Sequence, residues 1–85
     1  MKNYSVVYLT DAEAELVSIW EAAANRAEIS QAANTADKIL GDVPRDRSVY
    51  LGESLWRLEV TPLKFYFVLR EADRLVEITN VIEAR

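Results

Sequence analysis

An α+β fold is what this 85-residue sequence predicts: an N-terminal strand, a two-helix hairpin, then a small antiparallel sheet of two consecutive hairpins. Three observations carry it. Residues 55–82, LWRLEVTPLKFYFVLREADRLVEITNVI, alternate apolar and charged side chains in two hairpin-sized blocks, the period of half-buried strands. The alanine-rich stretch before them repeats apolar residues at spacings of three and four, the period of a helix packed on one face. The chain opens on YSVVYL, β-branched and aromatic, which reads as a strand.

The elements follow in order. Residues 4–9 form the first strand. Thr10 begins T-D-A-E, a capping box with Glu13, because a threonine hydroxyl and a glutamate three residues on can satisfy each other's free N–H groups. The helix that follows buries Leu16, Ile19, Trp20, Ala23 and Ala24 and ends near Asn25. Ser30 is placed to cap a second helix with the stripe Ala32, Ala36, Ile39 and Leu40, which Gly41 closes as a left-handed residue. The alanines let both helices approach a sheet closely. Asp42 to Glu53 is the longest irregular stretch, with an edge strand at Ser48–Leu51 and a tight turn at Gly52. Trp20 and Trp56 are expected to meet across the helix–sheet boundary.

The hairpin register can be written out. A four-residue turn at Thr61-Pro62-Leu63-Lys64 fits proline's fixed φ. It sets Val60 against Phe65, Leu58 against Phe67 and Trp56 against Leu69, with Glu59 opposite Tyr66 and Arg57 opposite Val68. A second turn at Ala72-Asp73 sets Leu69 against Val76, Phe67 against Ile78 and Tyr66 against Thr79. A slip of one residue would invert both faces. Arg57, Glu59, Lys64, Tyr66, Arg70, Glu77 and Thr79 are therefore expected to share the face turned away from the helices.

Composition narrows the chemistry. The length predicts one domain over residues 1–85, and 51% hydrophobic with 28% charged residues is ordinary for a globular protein. With no cysteine and no histidine, disulfides, thiol nucleophiles, Ser-His-Asp triads and imidazole or thiolate metal sites are excluded. No acidic cluster suggests a carboxylate metal site, and no cofactor is expected. No apolar run approaches the roughly 20 residues that span a bilayer, and the short apolar run before Asp11 is a poor signal peptide, so a cytoplasmic protein without a membrane partner is expected. The net charge of −4 repels nucleic acid at long range. The charge is uneven, however. Before Gly41 three basic residues stand against six acidic ones, whereas from Gly41 onward seven stand against eight, so a local positive patch can survive on the sheet.

The order strand, two helices, then WRLEVTPLKFYFVLREADRLVEITNV over residues 56–81 resembles the RelE/ParE superfamily of type II toxin–antitoxin toxins, which includes plasmid stabilisation proteins. The resemblance covers nearly the whole chain and rests on a pattern of hydrophobicity with a few fixed polar positions. It implies a toxin that arrests growth and is neutralised by a cognate antitoxin. RelE-like members cleave messenger RNA on the ribosome, using Lys and Arg to stabilise charge on the scissile phosphate; ParE-like members inhibit DNA gyrase.

Carried over residue by residue, the candidate catalytic set is Arg57, Lys64, Tyr66 and Arg85. Arg57 matches one basic position of the ribonucleases, Lys64 stands where an arginine is usual, and Arg85 matches the basic residue after the last strand. Tyr66 is a candidate proton donor. The sequence also departs from the ribonuclease pattern: Glu59 occupies a position that is commonly basic, there is no histidine, and the chain stops at Arg85 without the aromatic tail or final helix. A toxin acting by binding a cellular target is therefore the leading expectation. An mRNA endoribonuclease and a non-toxic RelE-fold interaction module are the alternatives. Each candidate also has a purely structural reading: Arg57 and Glu59 in a ladder of ion pairs with Arg70 and Glu77, Lys64 as a solvated turn lysine, Tyr66 as cover for the sheet. The antitoxin is expected to lie in the groove beside the hairpins by strand addition and helix docking. Free sheet edges also permit a homodimer.

Overall fold

The computed structural model describes residues 3–84, so Arg85 lies outside the described residues. Seven elements follow in chain order: β1 (Ser5–Tyr8), α1 (Thr10–Ala22), α2 (Arg26–Asp42), β2 (Ser48–Gly52), β3 (Leu55–Val60), β4 (Leu63–Arg70) and β5 (Leu75–Glu83). The strands make one sheet in the order β1-β5-β4-β3-β2. All neighbours are antiparallel except β1 and β5, which run parallel with Ser5 opposite Leu75 and Tyr8 opposite Ile78. The expected α+β architecture is present.

Both helices cover one face of the sheet. α1 lies against β5 and β1, and α2 crosses β3, β4 and β1. The alternating residues Leu63, Phe65, Phe67 and Leu69 of β4 are buried with Leu58 of β3 and Val76, Ile78 and Val81 of β5. Ala12, Ile29, Ala32, Ala36 and Leu40 close the core from the helical side. Three of these five are alanine, and their small side chains let helix backbones sit close to the bulky phenylalanines below.

Helix boundaries differ from the expectation at each end. Thr10 is already helical, and the residue before it, Leu9, caps α1 without a side-chain hydrogen bond; the capping box does not form. At the far end Arg26 takes over as a cap, its Nε donating to the Trp20 carbonyl at 3.3 Å and its Nη2 to the Glu21 carbonyl at 3.2 Å. A cation there suits the negative end of the helix dipole. α2 is capped by Asn25 rather than Ser30, with the Asn25 side chain accepting from the Glu28 N–H at 3.2 Å. Gly41 does not turn left-handed but stays inside α2, buried, where its carbonyl accepts from the N–H groups of Asn3 at 2.6 Å and Tyr4 at 2.9 Å.

The two hairpins differ in how they meet the predicted register. The β4–β5 pairing sets Leu69 opposite Val76 and Phe67 opposite Ile78, as expected. Thr79 is then an extra residue, and Tyr66 faces Asn80 instead. The β3–β4 turn holds only Thr61 and Pro62, with a cis peptide bond between them. Val60 therefore meets Leu63, Leu58 meets Phe65 and Trp56 meets Phe67, a displacement of two residues from the register written from the sequence. Because side chains alternate with period two, the displacement preserves both faces and changes only who stands opposite whom.

The tryptophans part company. Trp20 is 39% exposed on α1, donates its indole N–H to the Ser30 hydroxyl at 3.2 Å, and carries the Arg26 guanidinium 4.6 Å above its ring. Trp56 instead sits between Tyr50 and Phe67, at centroid distances of 4.9 and 6.5 Å.

Candidate functional site

The face of the sheet opposite the helices is built by alternation from β4 outward. With Phe65 and Phe67 buried, Lys64, Tyr66 and Val68 must point the other way, and all three are half-buried. On β3 the same reasoning turns Leu55, Arg57 and Glu59 outward, since Leu58 is buried in the core. Arg57 and Lys64 therefore share one surface, as predicted.

The observed register decides the local chemistry. Arg57 stands directly opposite Tyr66, and Glu59 directly opposite Lys64. Directly opposed side chains in an antiparallel pair start about 5 Å apart, and diagonal ones about 7–8 Å. The phenol of Tyr66 thus lies between a guanidinium beside it and an ammonium two residues along its own strand. The neighbouring cation, Arg70, is occupied: its Nε donates to Glu77 Oε1 at 2.5 Å. Among the described residues neither Arg57 nor Lys64 has an ion-pair partner, so the expected ladder of Arg57 and Glu59 with Arg70 and Glu77 is reduced to the single Arg70–Glu77 pair.

Apolar side chains frame these groups. Val49 pairs with Arg57 from β2, Val68 with Leu55, and Ile82 with Lys64. The surface is thus a mixed one, with two free cations and one phenol set among aliphatic groups and one carboxylate. Such a surface can bind an anionic or a mixed polar–apolar partner. Among the described residues no group of His, Cys, Asp and Glu could hold a metal ion.

Two arrangements were not visible in local sequence patterns. The extra residue Thr79 disturbs the β5 ladder, and the Val81 N–H is taken up by Glu15 Oε1 of α1 at 2.9 Å, while the Thr79 hydroxyl donates to the Tyr66 carbonyl at 3.3 Å. The Tyr4 hydroxyl donates to Glu71 at 2.6 Å, and Arg45 pairs with the same carboxylate at 3.2 Å. The hydrogen bond to Glu71 raises the Tyr4 phenol above its ordinary range. The Tyr8 hydroxyl donates to Asp37 of α2 at 3.1 Å; burial first, and the nearby carboxylate second, push this phenol far above the ordinary tyrosine value. These contacts join residues far apart in the chain, which no periodicity reports.

β4 is an interior strand, with β3 on one side and β5 on the other. Strand addition cannot take place along Lys64–Arg70; among the described residues β1, β2 and the end of β5 beyond Ile78, which β1 does not reach, lie at the edges of the sheet. Helix docking has a different place to act. Leu16, Val17, Trp20, Ile29, Ser30, Ala33 and Asn34 line a mainly apolar groove of about 240 Å³ between the two helices.

No protein-family model and no curated protein matches this chain. Solved structures do. A chain of the toxin–antitoxin complex RelBE2 from Mycobacterium tuberculosis superposes with a TM-score of 0.80 at 15% identity, over 98% of this chain and 99% of that one. The chromosomal ParDE toxin–antitoxin system from P. aeruginosa gives 0.71 at 14% identity, over 98% of each chain. The isolated E. coli RelE toxin gives 0.67 at 10% identity, over 96% of this chain and 85% of that one. The architecture is that of the RelE/ParE toxins.

Proposed function

We propose, from the RelE/ParE fold as premise, that this chain is the toxin of a toxin–antitoxin pair, arresting growth by binding a cellular target and held inactive by a cognate antitoxin. The observation that supports this reading is the superposition of nearly the whole chain on RelE- and ParE-type structures, one of them a toxin standing alone. A protein target such as DNA gyrase suits the exposed sheet face best. Its cations are interspersed with Val49, Val68, Leu55 and Ile82 and opposed by Glu59, a composition closer to a protein interface than to a phosphate-binding surface.

A second reading, a ribosome-dependent mRNA endoribonuclease, is favoured by one feature. Arg57 and Lys64 are both free of ion pairs and flank Tyr66. In that chemistry Arg57 and Lys64 would steady the phosphate, and Tyr66 would stand beside the scissile bond.

The groove between α1 and α2 is where a helical antitoxin segment would seat apolar side chains, beside Trp20. The described helical half is acidic, with Arg26 and Lys38 against six carboxylates, so the segment should carry Lys or Arg along its flanks. Induced expression in a bacterial host tests the reading. Growth arrest relieved by co-expression of a partner antitoxin supports it, and unimpaired growth leaves only the non-toxic interaction module. Message cleavage at ribosomal A-site codons, abolished by Arg57→Ala, would select the ribonuclease; a DNA-damage response without cleavage would select gyrase.

A further inference from the structure

The free edge of β2 is unlike an ordinary sheet edge. Natural edges are blunted by shortness, bulges, charge or proline so that chains do not pair by accident. β2 is short and bulged, but it carries no charge and no proline. Its three central residues are large, apolar and exposed, Val49 at 50%, Tyr50 at 56% and Leu51 at 43%. Leu51 is also left without a partner in β3, because the β2–β3 register jumps from Tyr50 to Gly52. The charges stand immediately outside the strand, Arg47 before it and Glu53 after it, and neither takes part in an ion pair among the described residues.

We propose that β2 pairs antiparallel with β2 of a second copy of this chain about a two-fold axis at Tyr50, giving a homodimer with one continuous sheet. The charge pattern selects this occupant and this direction. In such a pairing Val49 stands against Leu51 of the second copy, and the turn that carries Arg47 meets the turn that carries Glu53, each contact occurring twice. A parallel pairing would instead set arginine beside arginine. The chain thus supplies its own complement at both ends and in the middle, which an isologous interface requires.

The axis runs perpendicular to the sheet, so each face continues into the same face of the second copy. Both helical layers lie on one side. The two sets of Arg57, Lys64 and Tyr66 lie on the other, separated by the two β2 strands. The dimer therefore presents a doubled, two-fold surface to a target, while the groove between α1 and α2 stays open on each copy.

Sedimentation equilibrium of the full-length chain across a range of concentrations tests this. The 9.7 kDa protein should approach twice its mass as concentration rises. Arg47→Glu and Glu53→Arg should each weaken the dimer by roughly tenfold or more, since each sets like charges opposite one another twice. The double variant carrying both substitutions should recover it. Both positions are exposed turn residues, so the variants should fold, and circular dichroism checks that. A chain that stays monomeric throughout, a dimer indifferent to both single reversals, or a double variant no tighter than the singles would overturn the proposal. An antitoxin strand found on β2 of a monomeric toxin would overturn it as well, while leaving the toxin reading intact.

Discussion

Asn25 and Thr10 look equally suited to start a helix, yet only Asn25 does so by side-chain capping. Removing the cap should cost about 1 kcal/mol. Urea unfolding of Asn25→Ala is expected to show that loss, whereas Thr10→Ala should stay within about 0.5 kcal/mol of the parent. A sequence offers several cap-like residues near each boundary, and tertiary contacts choose among them. Here the pairing of β1 with β5 carries Thr10 into the helix before its hydroxyl can cap it. Tyr8 supplies a second residue-level outcome. Its phenol keeps its proton in the folded state well above about pH 10, where a tyrosine in the unfolded chain ionises. The folded state then binds more protons than the unfolded one, so the contribution is fully present below pH 10 and is lost as pH rises beyond it. The slope attributable to this group approaches roughly 1.4 kcal/mol per pH unit. Unfolding midpoints of Tyr8→Phe should decline less steeply than those of the parent between pH 9 and 11. A residual decline is expected from Tyr4, whose phenol is raised in the same direction.

Among the elements, β5 depends on a helix to complete its ladder. Glu15→Ala would leave the Val81 N–H without its acceptor, at a cost of about 1 kcal/mol or somewhat more. Hydrogen exchange should show it first, as faster exchange at Val81 with little change at Ile78, three residues earlier. The same strand shows what a sequence can and cannot report. The pairing of Leu69 with Val76 and Phe67 with Ile78 was legible because strict alternation on both strands admits one alignment that buries both apolar sets. Beyond Ile78 the alternation breaks, and nothing nearby announces Thr79 as an extra residue. In the β3–β4 hairpin the length of the turn was misread, yet the faces came out right because the displacement is even. The candidate site was therefore legible as a surface, with Arg57, Lys64 and Tyr66 together, and illegible as a set of neighbours. Glu59 belongs opposite Lys64 and Arg57 opposite Tyr66, which only the turn decides.

At the scale of the whole molecule, one side of the sheet carries the core and the other the candidate surface. Phe67 is fully buried, and Phe67→Ala should cost about 3–5 kcal/mol, enough to threaten a chain this small. Arg57 has no partner to lose, so Arg57→Ala should change stability by about 0.5 kcal/mol or less. Thermal melts of the two variants should separate accordingly, and any effect of Arg57→Ala on growth then reports on target contact rather than on folding. The parallel pairing of Ser5 with Leu75 has a consequence in time. β1 is made some seventy residues before the strand it zips onto, so its place in the sheet stays open until β5 has emerged, and a chain cut short before this nine-residue strand leaves β1 without its partner.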